Sequence, residues 1–126
     1  MRLLRVTQGS VERERRRYAR VNAMCQVTME HGGQQSRGTT IDISLTGMRV
    51  KMSRCFPVDS VVKTSLEFAP GTPKLSFESR IIRQIDDDCM GLEFEGMMPP
   101  ESRKLEDFLL PRILQMAAAK KAHQLG

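Results

Sequence analysis

Asp42-Ile43-Ser44-Leu45-Thr46-Gly47-Met48-Arg49-Val50-Lys51-Met52 is the stretch on which the fold is decided. Met48, Val50 and Met52 alternate with Arg49 and Lys51, the period-two pattern of a strand with one buried face. Ahead of it, Asp42 to Gly47 reads as a turn. Asp and Ser side chains bond nearby backbone groups, and glycine lets the chain pass where a side chain would obstruct. Thr39 to Ser44 reads as the strand that runs into this turn. The eleven residues are therefore two strand ends and the connection between them.

The same signals extend in both directions. Upstream, Val21 to Met29 is rich in Val, Thr and Met and reads as a strand, followed by turn chemistry at Glu30-His31-Gly32-Gly33-Gln34. Downstream, Pro57 and Asp59 mark a turn. Val62, Thr64, Leu66 and Phe68 share one face, and Pro70-Gly71-Thr72-Pro73 forms a loop. Leu75, Phe77, Ser79 and Ile81 make the next alternating face, and the doublet Ile81-Ile82 breaks the period as a bulge does. Asp86-Asp87-Asp88 is a tight polar turn before Met90, Leu92 and Phe94. Short strands at this spacing predict an antiparallel barrel or sandwich. The last part changes character. Pro99-Pro100-Glu101 is a helix-start signal, and Leu105, Phe108, Leu109, Ile113 and Met116 follow helical spacing. Pro111 should break or kink that helix near Asp107 to Leu110. Ala117 to Gly126 reads as a frayed end.

The charge is placed unevenly. The 126 residues carry a net +5, and residues 1–20 hold all of it, with seven arginines against Glu12 and Glu14. Residues 21–126 balance thirteen cations against thirteen acids. A basic arm on a neutral body is built to meet an anion. No apolar run approaches the roughly 20 residues of a membrane span, and the N-terminus has no apolar stretch of signal-peptide length, so a cytoplasmic protein is expected. Cys25, Cys55 and Cys89 are odd in number and some thirty residues apart, without a CxxC or a Cys/His cluster. Reduced, packed thiols are expected, and no metal site. His31 and His123 lie in a turn and the tail, so no catalytic triad forms around them. The nine methionines read as adaptable core filler. The chain reads as a binding module, not an enzyme, with no catalytic residue and no cofactor.

Arg16-Arg17-Tyr18-Ala19-Arg20 ends the basic arm. A guanidinium is planar and always charged, so it forks onto phosphate oxygens or guanine O6/N7 and stacks on bases. The Asp42 carboxylate and the Ser44 hydroxyl supply acceptors for the N1/N2 edge of guanine, and Gly47 permits close approach of backbone. Taken singly, the arginines form a solvated charge run and the hexapeptide a strand-ending turn. Together they make a matched set for a guanine nucleotide.

This order of motifs resembles the PilZ domain family, whose hallmark is RxxxR followed by [D/N]xSxxG. The resemblance covers roughly residues 12–110. Arg16 and Arg20 match the first motif, Asp42, Ser44 and Gly47 match the second without departure, and Gly91-Leu92-Glu93-Phe94 is similar to the last strand of the family. The resemblance implies a mainly β fold: a six-stranded antiparallel barrel with a C-terminal helix. With the first residues lacking periodicity and the last reading as frayed, the chain divides into a flexible leader (1–11), the barrel domain with its helix (12–116) and a flexible tail (117–126). The resemblance also implies cyclic di-GMP as ligand, gripped by Arg16 and Arg20 with Asp42, Ser44 and Gly47, and by Arg15 and Arg17 widening the patch. A ligand-ordered arm would then signal to a downstream protein, by family analogy in motility, biofilm or exopolysaccharide control. Two alternatives stand beside it: a PilZ-like protein–protein adaptor without nucleotide binding, and a small β-barrel that binds nucleic acid through the arm. The second is disfavoured by only six aromatic residues, too few for stacking platforms once Phe68, Phe77 and Phe94 face the core.

Overall fold

The computed structural model of the chain describes residues 19–125. The leader, Arg15, Arg16, Arg17 and Tyr18 lie outside the described residues. Six strands run in order: β1 (Gln26–His31), β2 (Gln34–Ile43), β3 (Gly47–Met52), β4 (Val61–Glu67), β5 (Leu75–Gln84) and β6 (Cys89–Glu95), then one helix, α1 (Pro99–Leu125). The strands close into a barrel in the spatial order β1-β2-β3-β6-β5-β4, every pairing antiparallel. Of the two architectures the strand spacing permits, the barrel forms, and closure leaves no free sheet edge.

Alternation fills the interior as the sequence predicts. Met48, Val50 and Met52 of β3 point inward with Val62, Thr64 and Leu66 of β4, Leu75, Phe77, Ser79 and Ile81 of β5, and Met90 and Leu92 of β6. Leu105, Leu109 and Ile113 of α1 join the same core. Phe108 stacks on Phe68 with ring centroids 4.2 Å apart, and the Arg112 guanidinium lies 3.8 Å over the Phe108 ring. The core contacts and the Phe68–Phe108 stack fasten the first half of the helix to the barrel.

Several element boundaries differ from the sequence reading. The first strand begins at Gln26 rather than Val21. Val21 makes a single bridge with Ile43, its N–H and carbonyl both bonded at 2.8–2.9 Å. Between the bridge and the strand, the buried Thr40 side chain replaces the ladder: its hydroxyl accepts the Cys25 N–H at 2.8 Å and donates to the Ala23 carbonyl. Strand β2 starts at Gln34 instead of Thr39, because Gly32 and Gly33 both adopt positive φ (59° and 78°) and reverse the chain in two residues. Helix α1 runs unbroken through Pro111 and through the stretch read as a frayed end. Burial of Leu105 and Leu109 before the proline and of Ile113 after it anchors both sides, offsetting a cost of about 3 kcal/mol. Arg112 Nη1 also donates to the Phe108 carbonyl at 2.7 Å. Ala117-Ala118-Ala119-Lys120 are strong helix formers and continue the run. Met116, placed on the core face by its spacing, is instead 43% exposed, as are all side chains from Leu114 to Lys120 to a similar or greater degree.

Two bulges shape the outer surface. In β5 the register passes from Ile81 opposite Leu92 to Arg83 opposite Gly91, skipping the exposed Ile82, as the isoleucine doublet predicts. In β2 it passes from Thr40 opposite Val50 to Asp42 opposite Arg49, skipping the exposed Ile41. Nothing in the sequence pattern announced this second bulge. Each inserted residue reverses the in–out parity of the strand beyond it. Thr40 and Ile81 face the core, so without the bulges Asp42 and Arg83 would face it too.

Shortening a core side chain of α1 tests the packing. Leu109→Ala should lower the unfolding free energy by about 2–5 kcal/mol in a urea titration, whereas the exposed Leu114→Ala should change it by less than about 0.5 kcal/mol.

Candidate functional site

The site is built on the β2–β3 turn. Ser44 holds the turn from within: its hydroxyl oxygen accepts the N–H groups of Thr46 (3.2 Å) and Gly47 (3.1 Å), and its own N–H donates to the Gly47 carbonyl at 2.8 Å. The side chain is buried. Phe94 N–H donates to the Thr46 carbonyl at 2.9 Å and ties the turn to β6. Gly47 packs so closely on β6 that a Cβ there would stand 2.2 Å from the Leu92 carbonyl oxygen, so the position admits no side chain. Ser44 and Gly47 therefore shape the turn. Neither presents a polar side chain at the surface.

Asp42 is different. The β2 bulge turns it to the outer face opposite Arg49, and two cations close on it. Arg20 Nη1 donates to Oδ1 at 2.7 Å, and Arg49 Nε donates to Oδ2 at 2.7 Å, with Arg49 Nη2 bonded to the same oxygen. The Asp42 side chain is only 2% exposed, while Arg20 and Arg49 keep 43% and 37% of theirs open to solvent. Burial by itself opposes ionisation of the carboxyl and is the largest single influence. The hydrogen bonds and charges of Arg49 and Arg20 together outweigh it and hold Asp42 below the ordinary carboxylate range. Reciprocally, the bond to Asp42 pushes the Arg49 guanidinium up.

Arg20 reaches Asp42 because of the Val21–Ile43 bridge. Each residue of the pair immediately precedes a bridge residue, so the two backbones are pinned side by side at the root of the basic arm. Of the residues singled out in the sequence, the structure brings together Arg20 and Asp42 and places Ser44 and Gly47 beneath them. Arg49 was missed: it reads as one more outward residue of an alternating strand. Counting the hairpin back from the turn, with Ile43 opposite Met48, would have set Asp42 opposite Arg49.

Two other polar features lead elsewhere. A groove of about 570 Å³ on the outer face of β1, β4 and β5 is lined by Glu30, Lys63 and Glu78, among others, where Lys63 stands between the two acids in register. Its charged side chains leave a net negative charge of one, which does not favour an anion, and no motif residue lines it. At the β5–β6 turn, Asp86, Asp88 and Cys89 bring ligand atoms within 4.8 Å of one another. Asp86 Oδ1, however, accepts the backbone N–H groups of Asp88 (3.2 Å) and Cys89 (2.9 Å), which is turn structure. Burial, with Asp86 and Asp88 alongside, pushes the Cys89 thiol up to about 11, so it stays protonated at neutral pH.

Comparison with known proteins agrees with this architecture. The PilZ domain family profile matches residues 14–110. Among solved structures, the inhibitor of motility MotI/DgrA of Bacillus subtilis is 19% identical with a TM-score of 0.67, over 80% of this chain and 52% of that one. YcgR of Escherichia coli, solved in complex with c-di-GMP, is 19% identical with a TM-score of 0.65, over 89% of this chain and 51% of that one. The isolated PilZ domain of YcgR with c-di-GMP gives 18% identity and a TM-score of 0.64, over 86% and 98%. The chain thus spans about half the length of the first two. No curated protein matches it. Among the described residues no helix is long and apolar enough to cross a membrane.

Protonating Asp42 tests the clamp. With its folded pKa below the unfolded value of about 3.9, the ionised carboxylate stabilises the fold fully above that value. The contribution is lost only as pH falls through the lower, folded pKa. The stability difference between wild type and Asp42→Asn should therefore be flat from pH 8 to about 5 and shrink only below about pH 4, read from urea unfolding at each pH.

Proposed function

The chain belongs to the PilZ domain family, and on that premise we propose that it is a receptor for cyclic di-GMP that signals to a partner protein and catalyses no reaction. The observation that carries this reading is the convergence of Arg20 and Arg49 on the buried Asp42 at the root of the basic arm. The similarity to c-di-GMP-bound YcgR supports it at the level of the fold.

The chemistry rests on what each group has left to offer. A carboxylate has about four lone-pair sites and Arg20 and Arg49 occupy three of them, so Asp42 keeps one, on Oδ1, to accept a guanine N–H while it holds both arginines. Arg20 is half-open to solvent and positioned by Asp42, so its remaining N–H groups fork onto guanine O6/N7 or a phosphate. The clamp fixes these donors before the ligand arrives and lowers the ordering cost of binding. Arg15, Arg16 and Arg17 sit on the arm and close over the ligand. Ser44 and Gly47 act through the turn that carries Asp42. Ordering of the arm reshapes the surface beside the turn, which the partner reads in the cytoplasm.

Calorimetric titration of cyclic di-GMP into the full chain, with cyclic di-AMP as control, tests this. Saturable binding of cyclic di-GMP alone is expected, weakened about tenfold to a hundredfold by Arg20→Ala. A folded protein that binds no cyclic di-GMP, or binds both nucleotides equally, would sink the reading and leave a protein–protein adaptor or, if single-stranded nucleic acid binds instead, a nucleic-acid binder.

A further inference from the structure

The outer row that begins at Asp42 does not stop at Arg49. In register, Asp42 of β2 faces Arg49 of β3, Arg49 faces Gly91 of β6, and Gly91 faces Arg83 of β5. Cross-strand partners share a face, so all four positions lie on one line across the outside of the barrel. The Arg83 stem lies over Gly91: a Cβ built there would stand 3.1 Å from Arg83 Cγ and 3.2 Å from Nε. The absence of a side chain at residue 91 is what lets Arg83 lean across β6 toward Arg49. With neighbouring strands about 4.8 Å apart, the two arginine Cα atoms are roughly 10 Å apart and flank one bare position.

Both ends of this row owe their place to a bulge. Ile41 in β2 turns Asp42 outward, and Ile82 in β5 turns Arg83 outward, each at the cost of an exposed isoleucine. Bulges are concentrated where a strand re-aims a side chain beside a binding site. Charge separates Arg83 from its neighbour on the same strand. Arg80 is already held by Glu95, with Nε 2.5 Å from Oε1, and stands opposite Glu93. Among the described residues no carboxylate lies within ion-pair distance of Arg83. Arg49 shares the Asp42 carboxylate, so Arg83 is the cation of this row that no carboxylate compensates among the described residues.

We infer that Arg83, with Arg49, forms a phosphodiester-binding extension of the Asp42 site, seated over Gly91. The inference rests on the proposed nucleotide reading and adds to it a contact on the far side of the turn from the arm. The phosphodiester belongs either to the nucleotide held at Asp42 or to a second nucleotide stacked on it, and the stoichiometry tells these apart.

The test is calorimetry of cyclic di-GMP with the full-length wild type, Arg83→Ala, Arg83→Lys and Gly91→Ala. Arg37→Ala, which removes an exposed charge from β2 outside the row, is the control. Arg83→Ala should weaken binding about tenfold with an unchanged urea midpoint, and Arg83→Lys should recover part of the loss. Gly91→Ala, whose methyl displaces the Arg83 stem, should weaken binding too, and should add little on top of Arg83→Ala. An unchanged stoichiometry assigns the phosphodiester to the nucleotide at Asp42, and a drop from two to one assigns it to a second molecule. Wild-type binding that Arg83→Ala leaves untouched, or that Arg37→Ala weakens as much, overturns the inference while the receptor reading stands. No binding by wild type defeats the receptor reading itself.

Discussion

A carboxylate taken out of water needs cations, and the place where Asp42 is buried dictates where those cations come from. The charged form is costly to desolvate unless hydrogen-bonded donors surround it. One partner, Arg49, is supplied by the adjacent strand. The other, Arg20, is supplied by the segment that leads into the barrel, held at this point by the bridge between Val21 and Ile43. Buried ion pairs are poor devices for stability, since apolar residues of similar volume often do as well or better. An arrangement that covers the acid but leaves both arginines partly open to solvent therefore asks for a reason other than stability.

The position of that acid is in turn a matter of parity. A regular β2 would carry Thr40 and Asp42 on the same side, burying an unpaired carboxylate in a core of Met48, Val50 and Met90. One extra residue, Ile41, moves Asp42 to the outside and returns Ile43 to the inside. The matching bulge in β5 sends Arg83 outward although Ile81, just before it, faces the core. The barrel interior thus stays apolar while the outer row across β2, β3, β6 and β5 collects charged groups. The turn residues have a complementary task. Ser44 and Gly47 use their polar atom and their lack of bulk on the protein itself, so the hexapeptide combines one presenting residue with a scaffold.

How much of this the sequence disclosed depends on which forces leave a periodic trace. Burial of one strand face does, so β3, β4, β5 and β6 were legible from alternation, and the doublet at Ile81-Ile82 marked its bulge. The bulge at Ile41 left no trace, because Thr40, Asp42 and Ser44 interrupt any apolar pattern there. The start of β1 was misplaced because a side chain, Thr40, satisfies backbone groups that a ladder would otherwise take. The helix was expected to fail at Pro111, and tertiary packing by Leu109 and Ile113 overrode local propensity. Arg49 was hidden by its ordinariness as an outward residue: only the pairing register reveals that it faces Asp42.

If ligand docks on the Asp42 clamp, the Asp42 carboxyl group is the most direct reporter of it. With the full chain labelled at aspartate, the Asp42 carboxyl-carbon NMR resonance should shift on addition of cyclic di-GMP and saturate with the binding isotherm, while the resonances of Asp86, Asp87 and Asp88 stay in place. Saturable binding that leaves the Asp42 resonance unmoved would put the ligand elsewhere on the barrel and rule out docking on the clamp.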